Sequence, residues 1–367
     1  MDDDRIQDGA DRRVRGGRVR LSWLSREAIV VLAASMTIAV VFSSTLDVDR
    51  GSGPSESFSG HESLLEAMAL TADSRALISS GLDDTVRFWN LDPSGATWGE
   101  ELTRLPHGSR PYALAPSTDG RYLAVGGGRN MAVWERKRDD WALLTSKEGT
   151  GYRYLAFAPG SWTLAIGGEG DGVRVIDVPS MKERRVLKGL DDAVHSVAFS
   201  PDGSVLAATS FAGELVMWDW RTGAVRPAVK GIGRVKCFAF TPDGRCFATA
   251  PWVEGGGITL RDLATGEVKA RFGSREDFNS LAFSPDGSLL AASDHSIQLW
   301  DVRTGEIRGR LDQGGRWVKT ILFTNGGTRL AYGGYDGAIH FWSFPGSPVD
   351  APIGSRPSGA RSHTGEG

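Results

Sequence analysis

The sequence predicts an all-β ring of seven small sheets, a β-propeller, preceded by one transmembrane helix. Three observations predict it. A unit of about 42 residues recurs seven times. The units hold apolar runs separated by tight turns, and three of them share near-identical Pro-Asp-Gly and Thr-Gly turns. A charge-free stretch of nineteen residues lies ahead of the first unit.

Composition agrees with this. The 367 residues include 48 glycines and 12 tryptophans, a pairing that suits many short strands joined by tight turns. A net charge of −3 gives no ground for a nucleic-acid partner. Cys237 and Cys246 are the only cysteines, which excludes a disulfide-built scaffold and a four-cysteine zinc site.

In chain order, residues 1–27 divide by charge. Five aspartates stand against one arginine over 1–11, then six arginines with no acid over 12–26. Residues 28–46, AIVVLAASMTIAVVFSSTL, would span roughly 28 Å as a helix, close to a bilayer's hydrocarbon core. We read them as an uncleaved signal anchor. The arginine excess places the amino terminus in the cytoplasm and the rest of the chain extracytoplasmic. The alternative is a signal peptide cleaved near Val41-Phe42-Ser43, giving a secreted protein. Residues 47–59 read as a linker, 60–344 as the propeller, and 345–367, rich in Pro, Gly and Ser, as a disordered tail.

The repeat is explicit in its first strand: Leu155-Ala156-Phe157, Val197-Ala198-Phe199, Phe238-Ala239-Phe240, Leu281-Ala282-Phe283 and Ile321-Leu322-Phe323, with weaker copies at Met68 and Leu114. Consecutive apolar positions are expected of strands covered on both faces. Pro201-Asp202-Gly203, Pro242-Asp243-Gly244 and Pro285-Asp286-Gly287 supply type I turns that close hairpins. Third strands end at Trp89, Trp134, Ile176, Trp218, Arg261, Trp300 and Trp342, spaced 45, 42, 42, 43, 39 and 42 residues apart. Turns at Thr222-Gly223, Thr265-Gly266 and Thr304-Gly305 leave room for a fourth strand. The strand closing the ring must come from around residues 56–60 or 349–353.

These residues resemble the WD40-repeat family over roughly residues 60–344. The resemblance implies a hydrogen-bonded tetrad of His, Ser or Thr, Asp and Trp, which the first unit carries throughout as His61, Ser79, Asp83 and Trp89. The other copies are degenerate. It is informative about fold and not about activity.

Candidates for chemistry are few. The six histidines fall at different places in the unit, and none makes a metal-ligand spacing. Glycine clusters at 126–128, 167–172 and 255–257 are hairpin turns, since no helix follows to complete a phosphate site. The hairpin register sets Cys246 opposite Ala239, with Cys237 a diagonal step away at about 7 Å, so both are expected as thiols. No catalytic residues, metal or cofactor are expected, and the chain is not expected to be an enzyme.

What remains is surface. The start of each first strand holds Glu66, Tyr112, Arg153, His195, Lys236, Asn279 and Lys319, a mildly basic rim at the mouth of the ring. Leu82, Phe211 and Tyr335 in neighbouring turns, with Trp252, are expected as exposed apolar side chains. The candidate interaction surface is therefore Arg153, His195, Lys236, Lys319, Leu82, Phe211, Trp252 and Tyr335. The expectation is a membrane-anchored, non-catalytic scaffold that docks a protein or peptide. The rival is an extracytoplasmic enzyme or small-ligand binder using the central channel.

Overall fold

The computed structural model describes residues 56–344, apart from 93–96, 139, 150, 171, 228–231, 253–255 and 274–276. The arginine-bearing segment 1–27, the candidate span 28–46 and the tail 345–367 lie outside the described residues.

Seven four-stranded antiparallel sheets are present. Blade 1 consists of Leu65–Leu70, Ala76–Gly81, Thr85–Asn90 and Glu101–Pro106, in sequential order from inside to outside. Blades 2 to 6 repeat that order from first strands Pro111–Pro116, Tyr154–Phe157, Val194–Phe199, Val235–Phe240 and Ser280–Phe283. Blade 7 takes Val318–Thr324, Arg329–Gly334 and Ile339–Trp342 from the end of the chain. Its outer strand is Glu56–Phe58, so the ring begins at residue 56 and part of the expected 47–59 linker is structural. Each first strand packs against that of the next blade, and the seventh packs against the first. The ring is closed, which leaves no long unpaired sheet edge inside it.

The core is seven apolar layers, one between each pair of adjacent blades. Leu206, Ala208 and Trp218 of blade 4, for example, meet Val173, Val175 and Leu187 of blade 3. A layer between two sheets needs apolar side chains on both faces of every inner strand, which is why those strands carry unbroken apolar runs. Trp218 and Trp300 are fully buried. Each removes roughly 200 Å² from water, about 5 kcal/mol of transfer free energy.

The turns explain the remaining periodic residues. In the Ser200–Val205 turn the Ser200 hydroxyl accepts the Val205 N–H at 2.9 Å, while Asp202 accepts the Ser204 N–H at 3.0 Å. Gly203 there has φ +65°, a conformation that favours glycine. The aspartate closing the third strand caps the next turn in the same manner. Asp301 accepts the Arg303 and Thr304 N–H groups at 3.0 and 2.9 Å and pairs with Arg308 at 2.7 Å. The Trp-Asp and Thr-Gly signatures are thus one local device for turning the chain into its outer strand.

Closure rests on aromatics. Phe58 of the closing strand stacks near Trp89 (5.1 Å), Trp98 (5.6 Å) and Phe341 (5.4 Å), joining blades 1 and 7. Glu56 pairs with Arg329 at 2.9 Å. Because the closing strand runs antiparallel to Ile339–Trp342, Glu56 lies at the end of the ring that carries the Pro-Asp-Gly turns. The opposite end carries the starts of the first strands.

Candidate functional site

That opposite end is built by β-bulges. In five blades the first strand slips register by one residue near its start, and the bulged residues are Glu66, Tyr112, His195, Lys236 and Lys319. A bulge re-aims one side chain without breaking the sheet. Arg153 and Asn279 stand at the matching place in blades 3 and 6, their N–H groups bonded to Gly167 O (3.1 Å) and Ser293 O (2.8 Å). Seven residues spread over 253 positions therefore ring one mouth.

The rim differs from the basic one expected. Glu66 is 4% exposed. Its Oε1 accepts Arg110 Nε at 2.7 Å, and its Oε2 is paired with Lys319 Nζ. Lys236 pairs with Asp277 at 2.8 Å. The reason is that sequence-distant blades are spatial neighbours, so partners invisible along the chain neutralise part of the charge. Arg110 and Arg153 lie 5.0 and 5.3 Å from the Tyr112 ring centroid.

Across the mouth, blades 3 to 5 form an aromatic sector. His195 packs against Tyr154 (5.6 Å), Phe211 (4.9 Å) and Trp252 (5.3 Å), and Lys236 Nζ lies 5.6 Å from the Trp252 ring. Burial, together with the nearby Lys236 charge, pulls the His195 pKa down to about 4, so its imidazole is neutral at pH 7. His195 Nδ1 and Trp252 Nε1 are buried with no hydrogen-bond partner among the described residues. Of the four apolar side chains expected to be exposed, only Tyr335 is, at 58%. Leu82, Phe211 and Trp252 are half-buried, Phe211 and Trp252 packing against His195.

The blade 1 tetrad is a continuous hydrogen-bond chain. Asp83 lies 2.8 Å from His61 Nδ1, Ser79 Oγ lies 2.8 Å from His61 Nε2, and Trp89 Nε1–H donates to Ser79 Oγ at 2.8 Å. A carboxylate only accepts, so Nδ1 carries the proton and Nε2 accepts from Ser79. Burial acts to raise the Asp83 carboxyl, but hydrogen bonds from Thr85 and His61 outweigh it and hold the group well below the usual range. For His61, burial outweighs the Asp83 bond and lowers the pKa. The arrangement is a satisfied buried network that fixes the blade, with no open position for a substrate.

Two expectations are corrected here. His107 does not fall at a different place in the unit from His61. Each lies four residues ahead of its blade's first strand, with its N–H bonded to the turn of the preceding blade. Val125 fills the hydroxyl position of blade 2, so His107 and Trp134 Nε1 are buried without hydrogen-bond partners among the described side chains. The spacing from the first strand was the signal that could have found His107. In the cysteine hairpin, Ala239 pairs with Ala248 and Cys237 with Ala250. Thr241 N–H donates to Cys246 O, so the hairpin loop is two residues longer than the expected register allows. The cysteines lie four residues apart along the sheet, about 13 Å, and both are free thiols.

Among the described residues no group of three His, Cys, Asp or Glu side chains is arranged to hold a metal ion. Grooves of about 430 and 360 Å³ open between blades on the turn end. The carboxylates of the larger one are already engaged, Asp119 by Trp162 Nε1 (2.7 Å) and Asp177 by Arg184 (2.6 Å).

Seven four-stranded blades with repeat-wise turns and a tetrad define a β-propeller of the repeat class. The family model described as WD domain, G-beta repeat matches residues 52–90, 181–219 and 266–301. These three matches and the seven-bladed ring together support a WD40-repeat propeller. It is 26% identical over 240 residues to apoptotic protease-activating factor 1 of Danio rerio, covering 64% of this chain and 18% of the relative. It is 28% identical over 216 residues to WD repeat-containing protein SL1-17 of Schistosoma mansoni, covering 58% of this chain and 67% of the relative. Likeness to WD repeat-containing protein 1 of Mus musculus is 27% over 245 residues, 63% of this chain and 38% of the relative. The chain thus spans less than a fifth of the length of the first of these relatives.

Proposed function

We propose that this chain is a non-catalytic docking scaffold that holds a protein or peptide segment at the bulge-lined mouth of its propeller. One observation carries the reading. Five register slips place Glu66, Tyr112, His195, Lys236 and Lys319 on one end of the ring, whereas the residues that build the blades are spent internally. A bulge repeated at one position of the unit re-aims a side chain at the same end of the ring in each of five blades. The likeness to WD40-repeat proteins supports a protein-interaction role. Tyr335, Phe211 and Trp252 supply the aromatic contact area that interfaces favour.

The test is affinity capture from solubilised membranes with Phe211→Ala, Trp252→Ala and Tyr335→Ala variants. The reading expects loss of a discrete co-purifying protein while thermal unfolding stays cooperative. Equal recovery from all variants contradicts it.

The same proposal includes a membrane anchor at residues 28–46, supported by their length, lack of charge and the arginines ahead of them. Among the described residues no helix is long and apolar enough to cross a membrane, and 28–46 lie outside them. The propeller is then extracytoplasmic. A C-terminal tag digested by protease added to spheroplasts supports this orientation, and a protected tag overturns it. Release by alkaline carbonate overturns the anchor.

A further inference from the structure

The outer strand of each blade is a sheet edge, with one row of backbone N–H and C=O groups facing away from the ring. Most of these edges are protected. Blade 4 has two residues there, Ala224–Val225, and blade 7 has three, Glu56–Phe58. Blade 1 ends its edge in Pro106, and Lys182–Lys188 of blade 3 carries five charges in seven residues. Val268–Phe272 of blade 5 and Ile307–Asp312 of blade 6 place a charge at every second residue. Short length, proline and charge are the devices that keep an edge from pairing with another chain.

Blade 2 lacks all three. Asp140–Glu148 is the longest strand among the described residues, at nine, and as the outermost strand of its sheet it pairs with Asn130–Lys137 on one side. Residues 141–146 read WALLTS, without a charge. Leu143 is 52% exposed and Leu144 36%, while Trp141 is anchored on Phe88 at 5.3 Å. A register slip opposite Trp134 leaves Leu144 as the extra residue of this strand. Slips at the same place occur in the outer strands of blades 1, 3, 5 and 6, so the bulge belongs to the repeat and does not distinguish this edge. Length and the uncharged centre do.

The charges at its two ends decide the occupant. Asp140 and Lys147 flank the uncharged run, and both are exposed. Two copies of the strand can be laid antiparallel about a two-fold axis between Leu143 and Leu144. Asp140 of each copy then meets Lys147 of the other, Trp141 meets Ser146, Ala142 meets Thr145 and Leu143 meets Leu144. Glu148 falls past the end of the partner strand. A slip of one residue in one direction sets Asp140 against Glu148, and in the other against Ser146, so a single register joins both opposite charges. We propose that Asp140–Glu148 is a homotypic docking edge that joins two copies of this chain as an antiparallel strand pair centred on Leu143 and Leu144. The contact is isologous, so it closes as a dimer and does not propagate. It goes beyond the docking reading, because the edge lies on the perimeter and leaves the mouth of each ring open. The interface is small, under about 1,200 Å², of the kind that forms weakly and reversibly.

The test is sedimentation equilibrium of the full chain in a density-matched detergent. A reversible monomer–dimer equilibrium is expected over roughly 1 to 100 μM. Leu143→Glu, at an exposed position, puts two acids at the centre of the pair and should leave the chain monomeric over that range. Asp140→Lys should weaken dimerisation about tenfold, because two opposite-charge pairs become two like-charge pairs. Lys147→Asp should weaken it similarly. The double variant Asp140→Lys/Lys147→Asp restores opposite charges across the axis and should recover most of the loss, which a merely local effect of either residue would not do. If Leu143→Glu fails to fold, the three charge variants decide the matter.

A chain that stays monomeric throughout overturns the edge pairing. So does a dimer that Leu143→Glu or the single charge variants leave unchanged, since association then runs through another part of the chain, and so does a double variant that fails to recover. The two proposals separate cleanly. If the chain is monomeric but Trp252→Ala abolishes partner capture, the edge pairing fails and the docking face stands. If the dimer behaves as expected but capture ignores every mouth variant, the edge pairing stands and the docking reading fails.

Discussion

Replacing Ser79 with Ala removes one oxygen and leaves two nitrogens without partners. Ser79 is fully buried, donates to His61 Nε2 and accepts from Trp89 Nε1, each at 2.8 Å. The methyl group of Ala fits where the serine Cβ already sits, so the transfer contribution is small and no new cavity of consequence forms. The cost lies in two buried, unsatisfied groups, each worth about 1–3 kcal/mol. The expected loss is therefore about 2–5 kcal/mol. For a ring of this size roughly 2 °C of melting temperature accompanies each kcal/mol, so the midpoint should fall by about 4–10 °C. Urea unfolding followed by tryptophan fluorescence and by far-UV circular dichroism provides the assay, with an unchanged slope confirming that the change is in stability. A loss below about 0.5 kcal/mol would refute the reasoning, because the tetrad would then contribute nothing in the blade where it is complete. Blade 2 sharpens the point, since it already tolerates His107 and Trp134 without these bonds.

Three further outcomes follow from named contacts. Phe58→Ala strips a half-buried ring from three aromatic neighbours and should destabilise by about 2 kcal/mol, with amide exchange rising first in Glu56–Phe58 and Ile339–Trp342; uniform exchange across all blades would contradict closure by this strand. Ser74 holds φ +56° where blades 2, 4, 5 and 6 place Gly120, Gly203, Gly244 and Gly287, so Ser74→Gly should stabilise by about 0.5–1 kcal/mol in the same urea assay, and a loss would refute the strain argument. Stability should fall with acid. His107 and His195 are drawn by burial to about 4, below the unfolded value near 6.5, so the unfolded chain binds more protons between those limits. Their joint contribution is full above pH 6.5 and is lost progressively down to about pH 4, at most about 3 kcal/mol for each. Asp294, whose carboxyl is raised by burial, acts in the opposite sense at the acid end. The urea midpoint at pH 7.5 should exceed that at pH 5, with a smaller difference in His107→Leu; no difference in the parent protein would contradict this.

The blades were legible in the sequence because their residues act locally. Asp219, Asp262 and Asp301 cap turns two and three residues ahead, so Trp-Asp and Thr-Gly recur at fixed offsets whatever the neighbouring blade does. The polar residue opening each first strand was legible for the same reason, although not that five of the seven are bulges. Other features depend on closure in space. Glu56-Ser57-Phe58 has no alternation to mark it as a strand, and it becomes one only by pairing with Ile339, His340 and Phe341. Lys319 and Glu66 are separated by 253 residues and become partners only when blade 7 meets blade 1. The two-residue error in the cysteine register has a local cause, the bond from Thr241 N–H to Cys246 O that sets the hairpin's length.

The central claim, that the bulge-lined end of the ring is a docking face, is tested most directly by photo-cross-linking in intact cells. A benzophenone amino acid would replace Tyr335 at the mouth, Val225 on the perimeter, or Trp162 on the turn end, all exposed positions. The account predicts one discrete adduct from position 335, absent from 225 and 162 and reduced when Phe211 or Trp252 is also changed to Ala. An adduct from position 225 or 162 with none from 335 would move the docking surface away from the bulges and contradict the account.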